Sequence, residues 1–334
     1  MSSMVLAGDL GGTRLRLALA RRNGAHIELL APEHRDTTTL DGLATALKAY
    51  LERAPARPAR AVIAVAGPVK RGPRGRQARI TNLPWVLEEH DLAAATGLER
   101  VELLNDFEAV GHALDDLSTT RMATLQAGRH DPGGMRALIG AGTGLGQALV
   151  AGAGSALHVY PTEGGHADFA ASDAITWALR EELASEFGHV SWERLVSGPG
   201  LERIYRFLCR QRGVEPTLAQ GTHDPPAAVG NAGLDGRDPL AREALDLFCR
   251  LYGAQAGNLA LTALATGGVY LAGGIAPRIL ERLRAGGFLA AFRAKGRMAA
   301  LAEQIPVHVI LDPEAGLHGA ARYAFGPAAG HGVE

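Results

Sequence analysis

Cysteine and lysine are scarce in this 334-residue chain, which has cysteine only at 209 and 249 and lysine only at 48, 70 and 295. Two cysteines in stretches with helical spacing indicate neither a disulfide framework nor a multi-cysteine zinc site. This usage is typical of a reducing compartment, so we expect a cytoplasmic protein. A Walker A phosphate loop is excluded, because none of the three lysines stands in the pattern Gly-x-x-x-x-Gly-Lys-Ser/Thr.

The chain also lacks an excess of charge and a long apolar run. Its formal net charge is −1, so no overall field attracts nucleic acid or a membrane surface. Asp9 interrupts the first apolar stretch and no run of 18 apolar residues follows, so we predict neither a signal peptide nor a membrane helix. The basic segment 70–79 has no interleaved aromatic residues, which favours a solvated connection over a nucleic-acid patch.

Glycine is abundant, with 43 residues, and many lie in short clusters beside apolar runs. Residues 5–19 predict a strand, a tight turn at Gly11-Gly12 and a second strand whose leucines all face one way. Glycines at such a tip leave backbone N–H groups bare to bind a phosphate, and Asp9 could meet a cation carried by that phosphate. An ordinary hairpin with a solvated Asp9 is the alternative.

A second stretch repeats this pattern. Strand 136–140, a glycine- and threonine-containing turn and strand 146–150 echo the first hairpin, so we predict two related lobes. The run Gly140–Gly146 resembles a dinucleotide fingerprint, but no frame gives Gly-x-Gly-x-x-Gly and a strand follows it instead of a helix. Other predicted strands are 26–30, 61–66, 101–104, 268–272 and 307–310; predicted helices are 40–51, 88–96, 107–114, 172–187, 201–212, 240–264 and 317–325. Their alternation predicts an α/β fold, with 213–238 as an irregular loop.

Asp106 is the candidate catalytic residue, because it directly follows a buried strand. In α/β sheets, ligands bind at the carboxyl ends of the strands. A carboxylate there, next to the amide of Asn105, suits the binding and deprotonation of a hydroxyl group. The alternative is that Asp106 caps the helix that follows, with Asn105 in the turn.

Glu163, His166 and Glu193 are candidate ligands for a sugar, since they lie among glycines and small residues. Sugar hydroxyls each donate and accept hydrogen bonds, and carboxylates and imidazoles pair with them. Taken singly, each could be a solvated carboxylate or a satisfied histidine. The spacing of Glu163 and His166 also suits a metal site on a helix, but Gly164 and Gly165 argue against a helix there.

Together these motifs resemble those of the bacterial ATP-dependent glucokinase family, within the superfamily of sugar kinases, actin and Hsp70-like proteins. They occur in family order and cover nearly the whole chain. The motifs are Gly8-Asp9-Leu10-Gly11-Gly12-Thr13, Leu104-Asn105-Asp106-Phe107, Gly140–Gly146, Glu163–Phe169, His189–Arg194, Leu195–Leu201, Gly257–Leu261 and Gly267–Ile275. A cysteine-rich zinc motif and an N-terminal helix-turn-helix are absent, which counts against the related repressor branch.

The resemblance implies a two-lobed actin-like ATPase fold of the ribonuclease H-like type, with sugar and ATP in a cleft between the lobes. Residues 1–105, closed by a C-terminal helix at about 317–334, would form a small α/β domain, and 106–316 a large one. The implied ligands are glucose, ATP and Mg²⁺. The implied assembly is a homodimer, with no nucleic-acid or membrane partner.

The resemblance also implies a role for each candidate residue. Asp106 would be the base on the sugar 6-hydroxyl. The other hydroxyls would be held by Asn105, Glu163, His166 and Glu193. The nucleotide would be bound by Gly8, Asp9, Gly11, Gly12, Thr13, Gly142, Thr143, Gly144, Gly273 and Gly274, with Asp9 also near Mg²⁺.

Two features depart from the family pattern: Glu314-Ala315 stand where Asn-Pro is usual, and segment 70–79 is longer than expected. The expected reaction is phosphoryl transfer from ATP to the 6-hydroxyl of glucose. A kinase of another hexose, a catalytically silent sugar-binding regulator and an actin-like filament protein are the alternatives. Retention of Asp9 and Asp106 counts against the regulator, and the polar cluster of Glu163 counts against the filament protein.

Overall fold

The computed structural model describes residues 4–24, 26–80 and 83–326. The chain divides into two compact units. The first unit comprises Met1–Ser118, Ala151–Pro161 and Asp312–Glu334, and the second comprises Thr119–Val150 and Thr162–Leu311. Within the described residues, no helix combines the length and the apolar character that crossing a membrane requires.

Strands and helices alternate along the chain, as the α/β prediction requires. The strands are β1 (Met4–Leu10), β2 (Arg14–Asn23), β3 (His26–Asp36), β4 (Arg60–Val65), β5 (Val69–Gly72), β6 (Gly75–Arg79), β7 (Val86–Glu88), β8 (Arg100–Asn105), β9 (Met122–Gln126), β10 (Arg136–Ala141), β11 (Leu145–Ala151), β12 (His158–Thr162), β13 (Gly268–Ala272) and β14 (Val307–Ile310). The helices are α1 (Leu43–Arg53), α2 (Glu89–Thr96), α3 (Asp106–Ala113), α4 (Ala174–Phe187), α5 (Gly198–Arg212), α6 (Pro225–Asp235), α7 (Pro239–Ala263), α8 (Ile275–Arg278), α9 (Leu280–Arg284), α10 (Gly287–Arg293), α11 (Ala299–Gln304) and α12 (Ala315–Phe325).

The central sheet of the first unit has the strand order β3-β2-β1-β4-β8. Strand β1 pairs antiparallel with β2 and parallel with β4, and β4 pairs parallel with β8. The predicted alternation in β2 is confirmed: its leucines lie in a core with α1, whereas Ala18 and Ala20 lie in the opposite core with α12. Helices therefore cover both faces of this sheet.

The α12 face is rich in alanine because the helices there pack closely. A Cβ atom on Gly319 of α12 would overlap the carbonyl oxygen of Ala109 on α3. Glycine at 319 and small residues around it allow the two helices to touch, and α12 in turn packs on β1. This packing places the start of α12 at the end of β1.

The second unit repeats the strand arrangement of the first, which confirms the predicted internal repeat. The four strands that correspond to β2, β1, β4 and β8 follow the order β11-β10-β13-β14, and β9 is an additional strand that pairs antiparallel with β14. As in the first unit, the second strand of the hairpin pairs antiparallel with the first, β10 pairs parallel with β13, and β13 pairs parallel with β14. A separate core, containing Phe248 and Tyr252 of α7 and Phe288 of α10, packs against this sheet.

Two predicted connections are regular structure instead. The segment 213–238 contains α6, because Asp224 accepts a hydrogen bond from Ala227 N (3.1 Å), prolines occupy the first helical positions and Gly236 ends the helix in the left-handed region. Proline and glycine here mark helix ends. The basic segment 70–79 forms the hairpin β5–β6, which continues into β7. It is more ordered than the predicted solvated connection.

The observed units differ from the domains expected from the sequence. Residues 106–118 and 151–161 were expected in the large domain but belong to the first unit. The reason for the first of these is that α3 packs against α12 and the central sheet of that unit. The closing helix runs over Ala315–Phe325, and residues 327–334 of the predicted helix lie outside the described residues.

Candidate functional site

The tip of the first hairpin lies at Gly12 and Thr13, one residue later than the predicted turn. The N–H of Gly11 donates to Arg14 O (2.8 Å), so it is not bare as the sequence suggested. Within the described part of the chain, the N–H groups of Gly12 and Thr13 have no acceptor. These two groups are therefore available to bind an anion.

Thr37, in the 3₁₀ turn directly after β3, holds this tip, a contact that the sequence did not indicate. Its hydroxyl donates to Gly12 O (2.8 Å) and its N–H donates to Thr13 O (3.1 Å). Because the tip carbonyls are engaged by Thr37, the orientation of the tip peptides is fixed. Gly8, by contrast, lies inside β1, where a Cβ would crowd Ile63 Cδ1 at 2.6 Å. Glycine at this position therefore allows the strand to pack against Ile63.

Asp9 faces the start of α12 and forms an ion pair with Arg16. Arg16 Nη1 lies 2.8 Å from Asp9 Oδ2, and the Asp9 side chain is only 15 % exposed. Burial raises the pKa of Asp9, although the neighbouring Arg16 opposes the shift. A Cβ on Gly316 would lie 3.1 Å from Asp9 Cγ, so the glycine leaves room for the carboxylate beside the helix.

The chemistry of Asp9 fits a magnesium ion that is also held by phosphates. Among residues 4–24, 26–80 and 83–326, no group of three or more His, Cys, Asp or Glu side chains could hold a metal by itself. Mg²⁺ in phosphoryl-transfer sites is usually bound by one or two carboxylates together with phosphate oxygens and water. A single carboxylate beside a hairpin whose tip offers two N–H groups to an anion matches that donor set.

The tip of the second hairpin, Gly142–Gly144, is anchored on both sides. Gly142 N donates to Gly144 O (2.8 Å), and Gly142 O accepts from the N–H of Gly198 (2.7 Å), the first residue of α5. The tip thus abuts a helix N-terminus, where the helix dipole favours negative charge. Thr143 is exposed at its apex.

Gly273 and Gly274 lie beside this tip, at the carboxyl end of the neighbouring parallel strand β13. Gly273 adopts a φ of +81°, and a Cβ there would lie 2.7 Å from Ala141 O. Around Gly274 a Cβ would meet no atom within 4 Å. The sheet therefore brings the two glycine clusters together and leaves open space above Gly274, as a backbone-lined ligand site requires.

Glu163 and His166 are carried by a short 3₁₀ turn, Gly164–His166, which confirms that this motif is not an α-helix. A Cβ on Gly165 would overlap Leu145 O, and one on Gly164 would overlap Gln147 Oε1. Because the turn lies directly on β11, glycine is required at 165, whereas a side chain at 164 would have to displace Gln147. Gln147 is buried beneath it, and its Nε2 has no hydrogen-bond partner among the described residues.

Glu193 joins this turn to the second hairpin. Its Oε2 accepts from Leu145 N (2.8 Å), and its Oε1 lies 3.8 Å from His166 Nδ1. His166 Nε2 in turn lies 3.8 Å from Glu163 Oε2. The three side chains, which were predicted from two separate stretches, thus form one cluster beside Gly144, at spacings wider than hydrogen bonds and with His166 and Glu163 largely exposed.

Asn105 and Asp106 lie where β8 ends and α3 begins. Asn105 is the N-cap: its Oδ1 accepts from Phe107 N (3.0 Å) and Glu108 N (3.2 Å), and its Nδ2 donates to Gly67 O (3.1 Å). Asp106 is the first helical residue, and its Oδ1 accepts from Phe107 N (3.0 Å). The capping alternative considered for Asp106 thus applies to Asn105, which leaves the Asp106 carboxylate at the helix N-terminus.

Comparison with known proteins gives consistent results. The family model described as Glucokinase matches residues 6–326. The glucokinase of Trichormus variabilis is 41% identical over 339 residues, which cover 96% of this chain and 98% of that protein. The crystal structure of a glucokinase from an Antarctic psychrotroph superposes with a TM-score of 0.83 and 31% identity, over 97% of this chain and 99% of that chain.

A more distant structure shares the fold. It is the ROK family glucokinase from Streptomyces griseus in complex with glucose and AMPPNP, with a TM-score of 0.64 and 20% identity over 96% of this chain and 99% of that chain. At that identity the likeness concerns the two-domain α/β fold, which agrees with the fold class predicted from the sequence. With the family model matching residues 6–326 and a relative 41% identical over 96% of this chain, the chain belongs to the glucokinase family.

Proposed function

We propose that this chain transfers a phosphoryl group from ATP to the 6-hydroxyl of glucose. The observation that carries the proposal is the convergence of Glu163, His166 and Glu193 beside the glycine hairpin at Gly144. A cluster of sugar-type partners next to a phosphate-type loop is what a sugar kinase needs. Membership of the glucokinase family and the glucose and AMPPNP complex of the Streptomyces griseus protein support the same reaction.

Asp106 is the proposed general base. It lies at the N-terminus of α3, where the helix dipole is favourable to negative charge. The carboxylate accepts the proton of the 6-hydroxyl as the oxygen attacks the phosphorus; such a base contributes roughly 10²–10⁴-fold to the rate. Asn105, whose side chain caps the helix, has one amide N–H left for a neighbouring hydroxyl.

The two hairpins are the proposed phosphate-binding elements. In the first unit the free N–H groups of Gly12 and Thr13 donate to phosphate oxygens, and in the second unit Gly142–Gly144 do so beside the N-terminus of α5. Gly273 and Gly274 leave room for the adenosine. Asp9 is the proposed ligand of Mg²⁺, which when bound neutralises charge on the transferred phosphoryl group.

Glu163, His166 and Glu193 are the proposed partners of the remaining sugar hydroxyls. Their spacings of 3.8 Å leave the polar atoms free to bond to hydroxyl groups instead of to each other.

We also propose that the protein is a cytoplasmic homodimer. Buried free thiols at Cys209 and Cys249 agree with a reducing compartment, and light scattering of the purified protein tests the dimer.

The test is a coupled assay of ADP release with ATP, Mg²⁺ and a panel of hexoses, run beside the variant Asp106→Ala. We expect the highest turnover with glucose and a loss of at least a hundredfold in the variant, with glucose still raising its melting temperature. If another hexose gives the highest turnover, that hexose takes the place of glucose as the proposed substrate. Retention of more than about a tenth of the rate would refute the assignment of the base, because a general base contributes more.

A further inference from the structure

A side chain of the hairpin β5–β6 contacts the start of α3, where the proposed base Asp106 lies. We propose that Arg76 of β6 is a positioning residue for Asn105-Asp106 and acts through Glu108. The inference rests on the proposed function, because it takes Asp106 to be the base. It gives a role to the basic segment 70–79, for which the sequence indicated none.

Arg76 reaches across from the hairpin to the start of α3. Its Nη1 donates to Leu103 O (3.0 Å) and lies 3.3 Å from both carboxylate oxygens of Glu108. The Glu108 side chain is only 11 % exposed, whereas that of Arg76 is 37 % exposed. Burial opposes the charge on Arg76, but Glu108, together with Tyr323 and Glu89, outweighs this effect and raises the pKa of the guanidinium.

Glu108 is in turn hydrogen-bonded to Asn105, and these two residues flank Asp106 on either side. Its Oε2 accepts from the backbone N–H of Asn105 (3.3 Å), while Asn105 Oδ1 accepts from the N–H of Glu108 (3.2 Å). These two bonds form a reciprocal capping box that encloses Asp106. Within the described residues, the hydrogen bonds to the Glu108 carboxylate come from Arg76 and Asn105 N, so loss of Arg76 leaves a buried carboxylate with one donor.

The hairpin itself is held in place without the Arg76 side chain. Glu89 of α2 accepts from Arg76 N at Oε2 (2.7 Å) and from Leu103 N at Oε1 (2.8 Å). This carboxylate joins the backbones of β6 and β8. A substitution of the Arg76 side chain therefore removes its contacts with Glu108 and Leu103 O and keeps the hairpin docked.

The experiment compares Arg76→Met with Arg74→Met. Arg74 lies on the same hairpin, is about half exposed and pairs with Glu88 and Asp91, so its removal is a matched loss of one arginine. We expect Arg76→Met to lower kcat for glucose at least fivefold with the KM for ATP within twofold of wild type. Arg74→Met should leave both unchanged, and Arg76→Lys should recover part of the lost kcat, since it restores a cation beside Glu108.

The double variant Arg76→Met/Glu108→Gln tests the route. If Arg76 acts through Glu108, the losses in kcat do not multiply, and the double variant is no slower than the slower single variant. Multiplying losses, or a kcat of Arg76→Met within twofold of wild type, would overturn the proposal.

Hydrogen exchange separates this inference from the proposed function. The amides of Phe107 and Glu108 should exchange at least fivefold faster in Arg76→Met than in Arg74→Met, whether or not the enzyme turns over glucose. Unchanged exchange refutes the positioning role by itself. Inactive wild-type protein with faster exchange would refute the proposed function and leave the structural link between Arg76 and the turn intact.

Discussion

Glu193 links His166 of the proposed sugar site to the second hairpin, the proposed phosphate site, and its removal gives the sharpest test of this arrangement. Its Oε2 accepts from Leu145 N at the base of the hairpin, while its Oε1 faces His166. We predict that Glu193→Ala raises the KM for glucose and the KM for ATP together. Glu163→Gln, in contrast, should raise only the KM for glucose, because no hydrogen bond joins Glu163 to the hairpin in the described residues.

The magnitude follows from the lost hydrogen bond to a charged acceptor, which contributes about 1.5–3 kcal/mol when shielded from water. The Glu193 side chain is 32 % exposed, so solvent screening reduces this to about 1–2 kcal/mol. At 1.4 kcal/mol for each factor of ten, the KM for ATP should rise about 5–30-fold. Glu193→Gln should have a smaller effect, because its amide oxygen can still accept from Leu145 N.

The assay is steady-state kinetics with glucose and ATP varied in turn. Gly144→Ala is an independent route to the same effect, since its Cβ would lie 2.5 Å from Glu193 Oε2 and displace the carboxylate. Glu202→Ala is the control, because it removes a carboxylate that pairs with Arg206 one turn along α5. A Glu193→Ala variant with a raised KM for glucose and an unchanged KM for ATP would refute the link between the two sites.

Three further predictions concern binding and stability. Glu163→Gln should weaken glucose binding by about 0.5–1 kcal/mol, measured by calorimetry, because the sugar hydroxyl keeps an amide acceptor but loses the charged one, and solvent screens this largely exposed position; unchanged affinity would remove Glu163 from the site. Gly319→Ala should lower the free energy of unfolding in urea by about 1–3 kcal/mol, because the new methyl overlaps Ala109 O. Gly274→Ala should leave this free energy unchanged, because the space around Gly274 is open. If the two variants are equally stable, the packing of α12 on α3 is contradicted. Burial, with Arg322 nearby, lowers the pKa of His112 to about 4, so the unfolded chain binds the proton more readily between pH 6.5 and 4, and stability should fall as the pH drops through that window, by at most about 2 kcal/mol from pH 6.5 to 5. Urea unfolding at the two pH values should show this fall in wild type and lose most of it in His112→Gln, and an equal fall in both proteins would rule out His112 as the cause.

The regular elements could be predicted where hydrophobic spacing and chain order agree. Strands β1, β2, β10 and β13 and helices α4, α5 and α7 follow from periodicity, and the repeated hairpins follow from their glycine turns. The segments 70–79 and 213–238 were predicted wrongly because glycine, proline and charge mark helix and hairpin ends as often as loops. Asp224 followed by two prolines, with Gly236 eleven residues after the first proline, is a helix signal that the composition of the segment hides.

The sequence by itself determined the α/β class, the internal repeat and the identity of the polar residues, because each depends on local spacing or on a motif within a few residues. The tertiary structure decided which of those groups meet. Glu193 reaches Leu145, Arg76 reaches Glu108 and Thr37 holds the tip at Gly12, and these pairs are 48, 32 and 25 residues apart. Such contacts have no local signature, since strand order and helix packing alone bring distant segments together. The same reason explains why Asn105 proved to be the cap and Asp106 the carboxylate that remains at the start of α3.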